Sequence, residues 1–312
     1  MTTDSLVTVL MSVYNEEKNI DESIQSILAQ TYTNFEFIIF DDASTDSTVE
    51  KILKYEDKRI LLIQNETNYG LTKNLNRGLK IAKGKYILRM DGDDISLPNR
   101  FEKQVEFMEN HPEIALSGCW IKKFGEFSDI WRTVTDSEVL KINLIFNSVM
   151  AHPTFIIRKE FIDNYGIRYD ERIPYAQDYK FAYDVSLEGN IMNVPIVLLK
   201  YRTHKRQISS DKAELQIECA NMTRKRILCD MDIRLNDTAF RLWCDFCTGR
   251  ERNLSLQNRI MLKRIVKLFM EKNQIKGFYN EQKLEVQMNS RLQNYCRNNG
   301  RIKRGLYIDK MR

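Results

Sequence analysis

Three carboxylates stand within four residues at Asp91, Asp93 and Asp94, directly after the apolar run Tyr86-Ile87-Leu88-Arg89-Met90. Side chains of an extended chain alternate, so Asp91 and Asp93 project to one side, and Gly92 lets the backbone pass close to whatever they hold. Acids at this density repel one another. A hard divalent cation, Mg²⁺ or Mn²⁺, removes that repulsion and typically shares such carboxylates with substrate phosphates. The plain alternative is an acidic turn that closes a strand.

The surrounding pattern supplies the elements that position this cluster. Leu6 to Val13 reads as a buried strand, and Glu17 to Gln30 places Ile20, Ile24, Ile27 and Leu28 on one helical face. Phe35 to Asp41 is a second strand, followed by a helix from about Ser44, with Ser44 or Asp46 as its cap. Arg59 to Gln64 and Leu71 to Ala82 give a third strand and helix. Lys85 to Met90 is the fourth strand, a helix over Pro98 to Asn110 has proline in its first turn, and Ile114 to Phe124 is the next strand. Strands alternating with helices predict an α/β fold with a doubly wound, mostly parallel sheet covered on both faces. Ligands of such sheets collect beyond the carboxyl ends of the strands, where strand order reverses. Tyr14-Asn15-Glu16, Asp41-Asp42 and Asp91 to Asp94 load three of those ends with polar groups and outline one crevice. No G-x-G-x-x-G follows the first strand, which argues against a dehydrogenase-type dinucleotide site.

Composition sets the frame. The chain has 312 residues, of which 43% are hydrophobic and 29% charged, an ordinary balance for a folded protein. Its apolar runs fall short of the roughly 18 to 20 residues that span a bilayer, and MTTDSLVTVLMSVYNEE lacks a basic leader, so a cytoplasmic protein is expected. Six scattered cysteines fit a reducing compartment. Cys244 and Cys247 form a C-x-x-C without a second pair or a neighbouring histidine to complete a zinc site. Residues 205–312 carry 24 Lys and Arg against 12 Asp and Glu, while residues 1–204 carry 24 against 31, so the two regions are expected to face different partners.

Five motifs in order, VTVLMSVYNEE, FEFIIFDDASTDST, NYGLTKNLNRGLKIAKGKYILRMDGDD, AQDYKFAYDVSLEG and YRTHKRQIS, resemble those of a family 2 glycosyltransferase of GT-A fold. These are inverting enzymes that use nucleotide sugars. The resemblance covers roughly residues 5 to 208. It implies a catalytic domain over 1–208, with a donor-binding half to about 125 and an acceptor half over 126–208. In it Asp42 matches the acid that holds the nucleotide base or ribose, with Tyr14 and Asn15 lining the base pocket. Taken alone, Asp42 is also a good helix cap, and Glu16 suits the start of the first helix. Lys73, one turn from Arg77, reaches for base or phosphates or lies on a solvated helix face. Asp91 and Gly92 fall on the ribose side of the D-x-D pair and Asp93 on the metal, so Mn²⁺ or Mg²⁺ is the implied cofactor. Asp94 reads as supporting or structural.

Inversion needs a base for the acceptor hydroxyl, and Asp178 matches it. Its alternative is a helix N-cap or first-turn acid, and Gln177 departs from the Glu common at that place. His204 matches a segment that folds over the donor and would meet the metal or the diphosphate, or lie on the surface. His152-Pro153 shapes the acceptor side or is a plain loop, and His111 reads as solvent-facing.

The resemblance implies a UDP-sugar donor and a glycan or lipid-linked saccharide acceptor, in bacterial surface-polysaccharide assembly. A nucleotidyltransferase normally needs a Gly-rich basic loop where this chain has Tyr14-Asn15-Glu16-Glu17. A nucleotide-sugar-binding scaffold without catalysis has no need of Asp178. Residues 209–312 match no known pattern and read as helical and basic. Ile260, Met261, Ile265, Leu268 and Phe269 oppose Arg259, Lys263, Arg264, Lys267 and Lys272. Such helices pack on the catalytic domain or on a second subunit as a homo-oligomer, or make peripheral contact with the inner face of the membrane. The basic residues are not interleaved with aromatics, so nucleic acid is not an expected partner.

Overall fold

The computed structural model describes residues 4–204, 212–250 and 254–297. The last motif continues into 205–209, and the boundary expected at 208 lies outside the described residues. Four strands, β1 (Val7–Val13), β2 (Phe35–Asp41), β3 (Ile60–Gln64) and β4 (Tyr86–Met90), alternate with helices α1 (Ile20–Leu28), α2 (Thr48–Leu53) and α3 (Leu71–Ile81). They pair in parallel in the order β3-β2-β1-β4. The chain winds outward from β1 to β3 and then returns to the other side of β1 with β4. Strand order therefore reverses between β1 and β4, which opens a crevice at their carboxyl ends.

Alternation along the strands builds two cores. Val7, Val9, Met11, Phe37, Ile39, Tyr86, Leu88 and Met90 face Ile20, Ile24 and Ile27 of α1 and Phe101, Val105 and Met108 of α4 (Arg100–Asn110). Leu10, Ile38, Phe40 and Ile87 face Leu75 and Leu79 of α3 on the opposite side.

Beyond β4 the sheet becomes mixed. The remaining strands are β5 (Ile95–Ser96), β6 (Ile114–Gly125), β7 (Asp129–Trp131), β8 (Ile156–Arg158) and β9 (Asn190–Thr203), and helices α5 (Ser137–Asn143), α6 (Lys159–Asn164) and α7 (Gln177–Glu188) join them. β8 runs antiparallel to both β4 and β6, and β9 lies parallel to β6. β5 returns antiparallel onto β9, so the segment just after Asp94 is sewn to the last strand. That register places Tyr201 to His204 beside the acidic cluster.

Among the described residues four helices follow: α8 (Ala213–Asp230), α9 (Asp237–Thr248), α10 (Leu256–Lys276) and α11 (Glu281–Arg297). They pack onto the α3 side, and one apolar cluster runs from Leu10 and Phe40 through Phe146 and Tyr179 to Trp243, Phe269 and Tyr295. Trp243 stacks on Phe269 at 5.7 Å. Buried Arg224 of α8 donates to the Phe146 carbonyl at 3.0 Å, which ties a helix to the α/β body by a hydrogen bond as well as by packing.

The face of α10 is rotated from the one its sequence suggests. Leu262, Ile265, Val266, Phe269 and Asn273 are buried, while Ile260 is 45% exposed. The helix contacts both α9 and α11, so its covered stripe is broader than a single-partner amphipathic face and is centred one position away. Lys263, Arg264 and Lys267 point to solvent.

Candidate active site

The acidic cluster sits on the end of β4, whose five residues are all buried. A side chain at position 92 would bring its Cβ within 2.6 Å of Val13 Cγ1, so only glycine allows the β4 turn to lie against the end of β1. Ligand atoms of Asp91, Asp93 and Asp94 lie within 4.8 Å of one another. Ser23 of α1 fixes the turn by donating to the Asp91 carbonyl at 3.0 Å.

Each acid has a distinct partner. Arg89, two residues back on the same face of the strand, makes an ion pair through Nη2 with Asp91 Oδ1. Arg89 is 3% exposed, and its Nε and Nη1 find no hydrogen-bond partner among the described residues. Asp93 Oδ2 lies 3.3 Å from His204 Nε2. Asp94, 1% exposed, accepts the Arg202 main-chain N–H on Oδ1 at 2.8 Å, and its Oδ2 has no partner among the described residues.

The electrostatics match the crowding. Burial, followed by the charge of Asp91, raises the Asp93 carboxyl above the usual range, and His204 pulls it back. Burial and the charges of Asp91 and Asp93 push Asp94 well above it. Glu16, at the end of β1, is pushed up to about 7, mainly by burial and then by Asp93. Raised carboxyls beside an orphaned, buried oxygen mark a place short of positive charge, and all its donors are hard oxygens. That donor set fits a divalent cation of the Mg²⁺ or Mn²⁺ type.

At the crevice end of β2, Asp42 accepts from Asn65 Nδ2 and the Tyr69 N–H on Oδ1, both at 2.8 Å, and from the Gly70 N–H on Oδ2 at 2.9 Å, so it anchors the loop into α3. Asp41 Oδ2 accepts the Ser44 N–H at 3.2 Å, and its Oδ1 is buried and has no partner among the described residues. The two acids part by parity: Asp41 follows Phe37 and Ile39 on the α1 face of β2, whereas Asp42 turns to the α3 side.

Tyr14 is 48% exposed at the rim. Asn15 holds a left-handed φ of 55° and its Oδ1 accepts the Thr45 N–H at 2.8 Å, so it braces the loop after β2. Lys73 lies outward, with Nζ 4.4 Å from the Tyr69 ring. Arg77 turns inward, donates to Asn65 Oδ1 at 2.5 Å and lies over both Phe40 and Tyr69.

Asp178 occupies the first turn of α7, entered through Ala176 at a left-handed φ of 54°. Its Oδ2 accepts from Ser148 Oγ at 2.9 Å. Burial raises its carboxyl, while the Ser148 hydrogen bond and the Arg89 charge act the other way. The buried Tyr169 hydroxyl feels Arg89, Asp178 and Asp91 together, so these groups share one wall. Tyr169 is bonded to His152 Nε2 at 2.9 Å, and burial with Arg89 nearby holds that imidazole well below its ordinary range, hence neutral. His111 stays on the surface beside Glu113, away from the site. Sequence reasoning missed Arg89, Ser148 and Tyr169. A lone arginine inside an apolar strand was a usable signal, because such a charge is rarely buried without a partner.

The model of the family described as "Glycosyl transferase family 2" matches residues 8–166. The chain belongs to this glycosyltransferase family. An uncharacterized glycosyltransferase of Haemophilus influenzae is 37% identical to it over 235 residues, 70% of this chain and 72% of that one. The Escherichia coli protein named UDP-Glc:alpha-D-GlcNAc-diphosphoundecaprenol beta-1,3-glucosyltransferase WfgD is 30% identical over 211 residues, 67% of this chain and 81% of that one. Among solved structures, Staphylococcus aureus TarS 1-349 in complex with UDP-GlcNAc superposes with a TM-score of 0.62 at 19% identity, covering 96% of this chain and 93% of that one. Mannosyltransferase PcManGT of Pyrobaculum calidifontis, in complex with GDP-Man and Mn²⁺, gives 0.60 at 15% identity, covering 94% and 86%. At these identities the two structures establish the GT-A architecture of this glycosyltransferase.

Proposed function

We propose that this glycosyltransferase moves a sugar, with inversion, from a UDP-sugar to a glycan or lipid-linked saccharide acceptor in bacterial surface-polysaccharide synthesis. The observation that carries the reading is the Asp91-Asp93-Asp94 group at the switch point, facing Asp178 across the buried Arg89. WfgD, by its name, uses UDP-Glc and a diphosphoundecaprenol-linked acceptor, which supports both substrate classes.

Asp93, with His204 beside it and Asp94 beneath, would hold a divalent cation, which supplies charge neutralisation for the departing diphosphate. Asp42 takes the base or ribose through its remaining lone pairs, with Asn65 and Arg77 beside it on the α3 side, and the buried Asp41 Oδ1 is the alternative acceptor. Asp91, held by Arg89, accepts from ribose or sugar hydroxyls. Asp178 removes the proton of the acceptor hydroxyl as that oxygen attacks the anomeric carbon, a contribution of about 10² to 10⁴ in rate. A raised carboxyl suits this task, because its conjugate base is stronger than an exposed aspartate.

Residues 1–208 are read as the catalytic unit, with the helices after it as its support. The outward Lys263, Arg264 and Lys267 of α10 suit an anionic membrane surface bearing the acceptor. Among the described residues no helix is long and apolar enough to cross a membrane.

Thermal unfolding with UDP, GDP, dTDP and CDP, each with and without Mn²⁺, tests the donor. UDP with Mn²⁺ is expected to raise the midpoint, since a ligand at 100 times its dissociation constant adds about 2.7 kcal/mol. The gain should vanish in Asp93→Ala, and Asp178→Asn should keep it while losing UDP release from the sugar donor. No shift with any nucleotide would refute the reading.

A further inference from the structure

Asp178 is held by one hydroxyl from a distant segment. Ser148 lies in the loop between α5 and the short 3₁₀ turn His152–Thr154, thirty residues before the acid it touches. Its Oγ lies 2.9 Å from Asp178 Oδ2 and 3.3 Å from the Met150 carbonyl oxygen. A serine has one proton to donate, so these two acceptors compete for it. An ionised carboxylate wins, because charge-assisted bonds are roughly twice as strong as neutral ones. No other described side chain hydrogen-bonds Asp178; its remaining hydrogen bonds come from the main-chain N–H groups of Asp178 and Tyr179 in its own first turn.

We propose that Ser148 is a positioning residue for Asp178, fixing Oδ2 so that Oδ1 takes the acceptor proton, with the Met150 carbonyl as its second resting place. The inference rests on the reading of Asp178 as the base. In the transfer, the acceptor O–H bond breaks and its proton goes to Asp178 Oδ1. The acceptor oxygen bonds the anomeric carbon, and the bond from that carbon to phosphate breaks with its electron pair on the diphosphate. Once Oδ1 is protonated, Oδ2 is a neutral carbonyl oxygen no better as an acceptor than the Met150 main chain. The serine bond then swings away, and it returns when the proton leaves. Ser148 thus favours the ionised acid over the protonated one.

The other groups facing this carboxyl are Arg89 from β4 and Tyr169 from the loop before α7, with main-chain N–H groups of its own first turn. Arg89 also favours ionisation, and Tyr169 stays neutral. Removing the hydroxyl leaves Arg89 and the main-chain N–H groups of the first turn to oppose burial, and so moves the protonation of Asp178 to higher pH.

The experiment measures UDP release from UDP-glucose and UDP-N-acetylglucosamine, with Mn²⁺, across pH for wild type, Ser148→Ala, Ser148→Thr and Asp178→Asn. Ser148→Ala should lower kcat at neutral pH about tenfold, the scale of one bond to a charged group, with KM for the donor within about twofold. Its acid limb should move to higher pH, and Ser148→Thr, which keeps the hydroxyl, should restore both. A UDP-dependent thermal shift equal to wild type shows that each variant is folded. If Asp178→Asn is inactive while Ser148→Ala keeps the wild-type kcat and limb, the positioning role is overturned alone. If Asp178→Asn is as active as wild type, or wild type releases no UDP, the base assignment falls and the positioning role falls with it.

Discussion

The Arg202 guanidinium donates through Nε to the main-chain carbonyl of Asp93 at 2.8 Å, joining the last strand of the sheet to the acidic turn after β4. The same residue gives its main-chain N–H to Asp94 and pairs with Glu22 of α1 at 2.5 Å, while lying 4.5 Å over the Phe124 ring. One residue therefore fixes the carbonyl and the neighbouring helix through its side chain and the Asp94 carboxyl through its main chain. Arg202→Lys keeps the charge and loses the fork, so the turn loosens. Mn²⁺ affinity, read by titration of the free ion, should fall about tenfold, the scale of a lost charge-assisted bond. The unfolding midpoint should drop by a few degrees. Unchanged affinity would show that the strap is not needed for the site.

Asp41 and Asp42 separate by their responses. Asp42→Asn weakens three bonds that hold the loop into α3, so stability should fall by about 1 to 3 kcal/mol, read as a lower denaturation midpoint, and UDP affinity should fall about tenfold. Asp41 accepts one main-chain N–H, that of Ser44 at 3.2 Å, so Asp41→Asn should lower the midpoint less. A loss of UDP affinity in Asp41→Asn and not in Asp42→Asn would move the nucleotide role to Asp41.

Glu16 sets a pH dependence of stability. Its carboxyl ionises near 4.5 when unfolded and at about 7 when folded. Between these values the folded state binds the extra proton, so its stability declines as pH rises through the window and stays lower above it. Glu16→Gln removes the charge that must be buried. The variant should be more stable than wild type at pH 8, with the difference shrinking towards pH 4, as measured by urea midpoints. Saturating Mn²⁺ should shrink it too, because neutralising Asp93 removes the second cause of the shift.

Cutting the chain after His204 tests how far the α/β body depends on its helices. Phe146 and Tyr179 share one core with Trp243 and Phe269, Arg224 reaches the Phe146 carbonyl, and Arg291 lies 4.3 Å over the Phe146 ring. The fragment would expose that face to water at roughly 25 cal/mol per Å² of apolar surface. It should be insoluble or bind the dye ANS, whereas a soluble fragment with native near-ultraviolet dichroism would show that the two parts fold separately.

Much of the fold was legible because its cues are local. Val7 to Val13 and Phe35 to Asp41 are short, mostly apolar runs of strand length, Ile20, Ile24 and Ile27 recur at helical spacing, and the acids after Met90 announce the switch point. What stayed hidden depends on tertiary facts of one residue or one turn. Whether Asp41 or Asp42 offers a free oxygen is decided by which face of β2 each meets, and both read alike in the string DDAS. Ser148 stands in a loop without pattern, and only the packing of α5 and α7 brings it to Asp178. The orientation of α10 follows from its having two helical neighbours, which its own periodicity does not encode.

The join between β5 and β9 has a consequence for synthesis on the ribosome. Asp93 leaves the exit tunnel 109 residues ahead of Arg202, a delay of roughly 5 to 20 s at about 5 to 20 residues per second. During that interval the acidic turn has neither its strap nor His204. The nascent chain therefore carries an unbraced cluster of negative charge. The crevice acquires its final form only when β9 (Asn190–Thr203) slots in beside β6, so donor capture waits on a strand made long after the acids it completes and ahead of the helices that follow.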